Sequence, residues 1–88
     1  MFEKIIYLLV SIFGILMSIG HFPQAYKIYK NKSSKDVSLI TYVIFFVGGI
    51  IWLIYGIIIN EFPIIISFII GVIGTSLVLF LIFRYSKT

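Results

Sequence analysis

Trp52 is the residue of this sequence whose chemistry best suits holding a flat solute. Tyr42, Phe45, Gly49, Trp52 and Gly56 recur three and four apart, so on a helix they fall along one side, with Tyr55 on its margin. An indole offers a flat apolar platform and one N–H donor, which together fit the apolar face of a sugar ring or of another flat molecule. The competing reading is a tryptophan that packs against lipid or a neighbouring helix, and for Tyr42 and Tyr55 it is a place in an interfacial aromatic belt. Position separates Trp52 from the two tyrosines. At ~1.5 Å per residue it lies about 5 Å from the middle of its apolar run, deeper than a belt residue sits.

The second stretch with chemical character is Gly20-His21-Phe22-Pro23-Gln24, which sets a proline, an imidazole and an amide inside an otherwise apolar segment. Proline removes a backbone donor and clashes with the carbonyl four residues back, so a kink is expected there with the Ile19 carbonyl deprived of its usual partner. In hydrocarbon such a group is tolerated only where other helices, polar side chains or water reach it. The break is therefore expected to face protein or a wet cavity, either as a moving hinge or as a fixed kink. His21 is the one titratable side chain in the interior of an apolar run; a hydrogen-bonded structural imidazole and a proton relay both remain open, the first being the commoner.

The elements that position these residues follow from composition. With 88 residues, 61% hydrophobic, 11% charged and a mean hydropathy of +1.20, the chain is too apolar for a soluble domain and is expected to be a membrane protein. Apolar runs from about 5 to 26, 37 to 59 and 62 to 83 are each roughly 20 residues or a little more, enough to cross a ~30 Å hydrocarbon core. The expected architecture is one all-α domain over 1–88, a three-transmembrane-helix bundle. Lys4 precedes the first run, but no A-x-A-like cleavage site follows, which favours a span over a cleaved leader. A basic stretch from Lys27 to Asp36 and the tight Asn60-Glu61 pair connect the runs. Pro63 suits the first turn of the third helix, and Ser38 and Asp36 compete to cap the second.

Lys27, Lys30, Lys32 and Lys35 crowd the first connection, and Arg84 and Lys87 stand on the tail. Three spans put both regions on one side, expected to be cytoplasmic by the positive-inside rule, with Met1 and Asn60-Glu61 outside. This predicts a multi-pass protein of the inner (plasma) membrane with its N-terminus outside and its C-terminus cytoplasmic. Within the spans, Ser11, Gly14 and Ser18 form one small-residue stripe, and Ser67, Gly71, Gly74 and Thr75 another, while Gly48-Gly49 thin the middle of the second helix. Such stripes let membrane helices approach closely.

Several function classes are disfavoured. No Asp, Glu, Lys or Arg falls in the interior of a run, so the usual apparatus of ion-coupled pumps and voltage sensors is missing. No nucleophile–base–acid set, phosphate loop or cofactor fingerprint occurs, and no enzyme activity or cofactor is expected. One histidine, three acids and no cysteine leave too few ligands for a metal site. The net charge of +4 flanks apolar runs, where it meets lipid headgroups; nucleic acid is not expected as a partner. A transported solute would be neutral and move downhill. Three helices cannot enclose its path and keep lipid outside, so a second copy is required, most simply as a symmetric homodimer.

Pro23-Gln24, the basic residues after it, Lys35-Asp36-Val37-Ser38, then Tyr42, Trp52, Tyr55-Gly56 and Pro63 form an ordered set across the chain. In this it resembles the PQ-loop superfamily, and specifically the bacterial SemiSWEET half-transporters. The resemblance implies a bundle with the third helix lying between the first and second, paired as a parallel homodimer around a central cavity. It further implies facilitative (uniport) transport of small neutral sugars, mono- or disaccharides, by alternating access. Pro23 would be the hinge, supported by Gln24, and Trp52 would line the cavity. Two positions depart from the pattern. Where similar SemiSWEETs carry a sugar-binding asparagine on the third helix this chain has Phe68, and Ser67 beside it points about 100° away. At the extracellular gate, where the pattern is Tyr, Arg and Asp, Tyr55 is kept, Glu61 stands for the Asp and Ile59 replaces the Arg. Two alternatives therefore stand beside sugar transport: the same fold carrying a different small solute, and a membrane interaction protein that transports nothing.

Overall fold

The computed structural model describes residues 1–85; Lys87, assigned to the basic tail, lies outside the described residues. Four helical segments follow one another: α1 (Phe2–Ile19), α2 (His21–Asn31), α3 (Leu39–Ile58) and α4 (Phe62–Arg84), with no strand among the described residues. Segments α1 and α2 form a single broken rod, so that three helices, Phe2–Asn31, Leu39–Ile58 and Phe62–Arg84, are long and apolar enough to cross a membrane. This is an all-α, multi-pass membrane fold. The break falls at Gly20, which keeps right-handed helical angles (φ −57, ψ −19), three residues before Pro23 and so within the turn whose hydrogen bond proline removes.

The helix does not stop where the apolar run stops. It continues through Lys27 and Lys30 to Asn31, and the connection proper begins at Lys32, which closes α2 in the left-handed conformation (φ 53). Hydropathy marks the edge of hydrocarbon, whereas backbone hydrogen bonding carries a helix on into the headgroups. At the other end of the bundle Asn60 is left-handed (φ 57), a conformation asparagine tolerates better than most residues, and this lets α3 reverse into α4 within a few residues. Pro63 sits in the first turn of α4, and Ser38 caps α3, its Oγ accepting the Thr41 N–H at 3.1 Å.

Helix α4 packs along α1, α2 and α3. It contributes Ser67, Gly71, Gly74, Thr75, Val78, Leu81 and Ile82 to the interior, while α1 buries no residue completely. At the lysine-rich end Ala25 and Ile28 of α2 close on Val78, Leu81 and Ile82. There the buried Ser34 hydroxyl donates to the carbonyls of Ile82 (3.4 Å) and Tyr85 (3.3 Å), satisfying acceptors that the end of α4 leaves open. The Cα extents are 51 × 22 × 15 Å. At the 8–10 Å spacing of packed helices, that cross-section holds three rods and encloses no path.

Candidate functional site

The site begins with the seam between α1–α2 and α4. A Cβ placed on Gly14 would meet the Ser67 Oγ at 2.8 Å, one on Gly71 the Ser18 Oγ at 3.3 Å, and one on Gly74 the His21 Cβ at 2.8 Å. Each contact pairs a glycine with a side chain of the facing helix at one constant offset in sequence, the signature of two parallel helices in register. The two small-residue stripes are therefore one interface. In α3 the two adjacent glycines differ: Gly49 is buried against Val72 and Phe68, whereas a Cβ on Gly48 would meet nothing within 4 Å. Gly74→Ala is expected to cost about 1–3 kcal/mol, because the clashing atom is a Cβ that no rotamer can move. Gly48→Ala should leave stability unchanged or slightly raised, by up to ~1 kcal/mol from helix propensity. Thermal unfolding of both variants in one detergent checks the pair; equal effects would contradict this packing.

Because α4 holds the other two spans apart, a groove opens between α1 and α3 with α4 as its floor. Its volume is about 670 Å3, in the range of small-molecule sites. From α3 it is lined by Phe45, Gly48 and Trp52, from α4 by Ser67 and Phe68, and from the broken rod by Ser18 and His21. No Asp, Glu, Lys or Arg lines it among the described residues. Trp52 and Phe68 are direct neighbours within one chain, their rings stacked with centroids 5.9 Å apart and an interplanar angle of 11°. Trp52 remains 49% exposed, so while Phe68 covers one side of the indole, much of the ring is open to a solute. Ser67 is buried on the Gly14 side of α4 and still reaches the groove with its hydroxyl edge.

Toward the lysine-rich end the groove is bordered by an aromatic cluster that the residue pattern only half revealed. His21 meets Tyr42 edge-on at 5.5 Å and Phe45 at 5.9 Å, Tyr42 and Phe45 are 5.6 Å apart, and His21 Nδ1 lies 3.5 Å from the Tyr42 hydroxyl. The helical spacing of Tyr42 and Phe45 put them on one face; that His21 joins them depends on how the first span is seated against α3, since His21 keeps the register on α4 that Gly14 and Ser18 set. Pro23 itself is exposed on the flank of α2 opposite the buried Ala25 and Ile28, and the half-buried Gln24 amide makes no hydrogen bond among the described residues.

At the opposite end the two expected gate residues take different partners. The Tyr55 ring stands edge-on to Trp52 at 5.6 Å and 89°, while Glu61 Oε2 accepts the Tyr7 hydroxyl at 3.5 Å. No hydrogen bond joins Tyr55 to Glu61 among the described residues. Tyr7 carried no signal in the sequence, being one aromatic residue in a lipid-compatible run.

The PQ loop repeat family matches residues 5–66, which take in the Gly20 break, the whole of α3 and the start of α4. A crystal structure of a bacterial homologue of SWEET transporters superposes with a TM-score of 0.84 at 37% identity, covering 92% of this chain and 98% of the other. This chain is a PQ-loop protein of the SemiSWEET type. Relatives include the sugar transporter SemiSWEET of Leptospira biflexa, 27% identical over 76% of this chain and 79% of the relative, and that of Bradyrhizobium diazoefficiens, 34% identical over 57% and 58%. Both are named as transporters and not as enzymes. The stretch matched by the family ends just before Ser67 and Phe68, where the groove carries a hydroxyl and a phenyl ring.

Proposed function

We propose that this SemiSWEET-type chain is a facilitative transporter of small neutral sugars, working as a parallel homodimer by alternating access. The observation that carries this reading is the uncharged groove of about 670 Å3, aromatic on one wall and open on one side, in a protein whose relatives are named as sugar transporters. Two copies facing each other would turn two half-grooves into one enclosed path, and the absence of charged lining residues among the described residues matches a neutral solute moving down its gradient. In this reading Trp52 and Phe68 form the apolar platform and Ser67 contributes a hydroxyl. Pro23 with Gln24 is the hinge at the lysine-rich, cytoplasmic end, and Tyr55 and Glu61 guard the extracellular mouth. Uptake of radiolabelled sugars into proteoliposomes should follow the sugar gradient and be indifferent to imposed proton or sodium gradients. Absence of flux for every sugar would reject it.

Phe68 favours a second reading, in which the same dimer carries a less polar solute. A ring occupies the position where the family pattern has an amide, so the platform has no side-chain hydrogen-bonding group there. Sugars, amino acids and apolar solutes compared in the same liposomes separate the two.

The parallel arrangement follows from the lysine bias, which orients every copy alike in the plasma membrane with the N-terminus outside. Single cysteines at Lys32 and at Asn60 should cross-link like with like across the dimer. Efficient cross-links from position 32 to position 60 would overturn a parallel pair.

A further inference from the structure

Hydroxyl side chains in membrane helices ordinarily return their proton to a carbonyl one turn back. Ser11 donates to the Tyr7 carbonyl at 2.7 Å, Thr75 to the Gly71 carbonyl at 2.8 Å and Ser76 to the Ile73 carbonyl at 2.8 Å. Ser18 and Ser67 do not. Neither hydroxyl makes a hydrogen bond to any described residue, although Ser67 is only 6% exposed, and both residues line the groove. A hydroxyl so deeply buried is costly to leave without a partner. Ser67 is not sealed off, since no fully enclosed side-chain polar atom among the described residues lacks a partner; its oxygen, seated over Gly14, keeps some accessible surface in a residue that lines the groove.

The two serines are arranged as a pair. Ser67 reaches from α4 over Gly14 of α1, and Ser18 reaches from α1 over Gly71 of α4, so each crosses the seam at a glycine that leaves it room. The two crossings are one helical turn apart, about 6 Å along the axes. Across the groove stands Trp52 of α3, stacked on Phe68, which lies beside Ser67 on α4, so an aromatic pair adjoins a seam of two free hydroxyls.

We propose that Ser18 and Ser67 recognise the hydroxyl groups of a sugar whose apolar face lies on Trp52, so that this seam supplies the polar contacts that the phenyl ring of Phe68 does not. The assignment rests on the sugar-transport reading above. It places polar recognition on α1 and α4 together, so the solute bridges the two helices of the seam.

The chain has a single tryptophan, so quenching of its fluorescence by glucose reports binding at Trp52 directly in the purified dimer. Ser18→Ala and Ser67→Ala keep the Cβ that packs on the facing glycine and remove only the oxygen. Each should weaken glucose binding roughly 2- to 12-fold, the worth of one hydrogen bond, with quenching still complete at saturation. Across a series of monodeoxyglucoses, each variant should bind one analogue as well as the native chain does, because that analogue lacks the hydroxyl whose partner was removed. A variant weakened equally toward glucose and every deoxy analogue would mark a structural role and overturn the assignment, as would unchanged binding in both. If an alanine variant fails to assemble, cysteine at the same position keeps the shape with a weaker donor and must show the same analogue pattern. Native chain that carries glucose while both serine variants bind it normally overturns the serines alone; native chain that neither binds nor carries any sugar overturns the transport reading along with them.

Discussion

Trp52→Ala is expected to abolish sugar transport while the protein still inserts and assembles. The indole stacks on Phe68, meets Tyr55 edge-on and keeps about half its surface open, so it is held from two sides and presents the rest to the groove. One face of an indole, on the order of 100 Å2 at ~25 cal/mol/Å2, is worth about 2.5 kcal/mol, or roughly 60-fold in affinity. In the proposed symmetric dimer both platforms disappear together, which should take uptake below detection. Phe68→Leu should do less: the indole stays but loses its stacked support, a loss of ~0.5–1.5 kcal/mol. Uptake assays on the two variants at matched expression check the order of effects. Transport unchanged in Trp52→Ala would make that tryptophan a packing residue and remove the site.

The second large effect is expected at Pro23. Pro23→Ala restores a backbone donor within the turn where Gly20 now breaks the rod, and an interior proline costs a helix about 3 kcal/mol relative to alanine. If alternating access requires bending at this break, the variant favours the straight state by as much as roughly 100-fold, and turnover slows accordingly. The fold of the bundle should be unaffected, because Pro23 is exposed on the flank opposite Ala25 and Ile28, and the proposed dimer is expected to stay assembled. Stopped-flow uptake together with native mass spectrometry separates the two properties. Normal turnover would return Pro23 to a static kink.

Much of this architecture is legible in the chain itself, and for a definite reason. A bilayer forces every spanning segment to hydrogen-bond internally, so an apolar run of sufficient length becomes a helix almost regardless of its neighbours. The helix-ending roles of Ser38, Asn60 and Pro63 are equally local, each depending on one side chain and its own backbone. The Tyr42–Phe45–Trp52 face of α3 follows from helical period alone.

What the sequence could not supply were the pairings between elements. Two small-residue stripes are visible in the residue order, but that they meet each other, Gly14 on Ser67, Ser18 on Gly71 and His21 on Gly74, requires α1 and α4 to lie parallel and in one register. Tyr55 and Glu61 lie only a few residues apart, yet the reversal at Asn60 turns Glu61 toward Tyr7 while Tyr55 stays with Trp52. Ser11 and Ser18 are indistinguishable as letters; packing leaves one bonded to its own helix and the other open to the groove. Spans, caps and faces are set by short-range forces that act on each segment separately, and these the sequence determines by itself. The stacking of Trp52 on Phe68, the partners of Tyr55 and Glu61 and the supply of free hydroxyls depend on how one helix is rotated against another, and only the assembled bundle decides that.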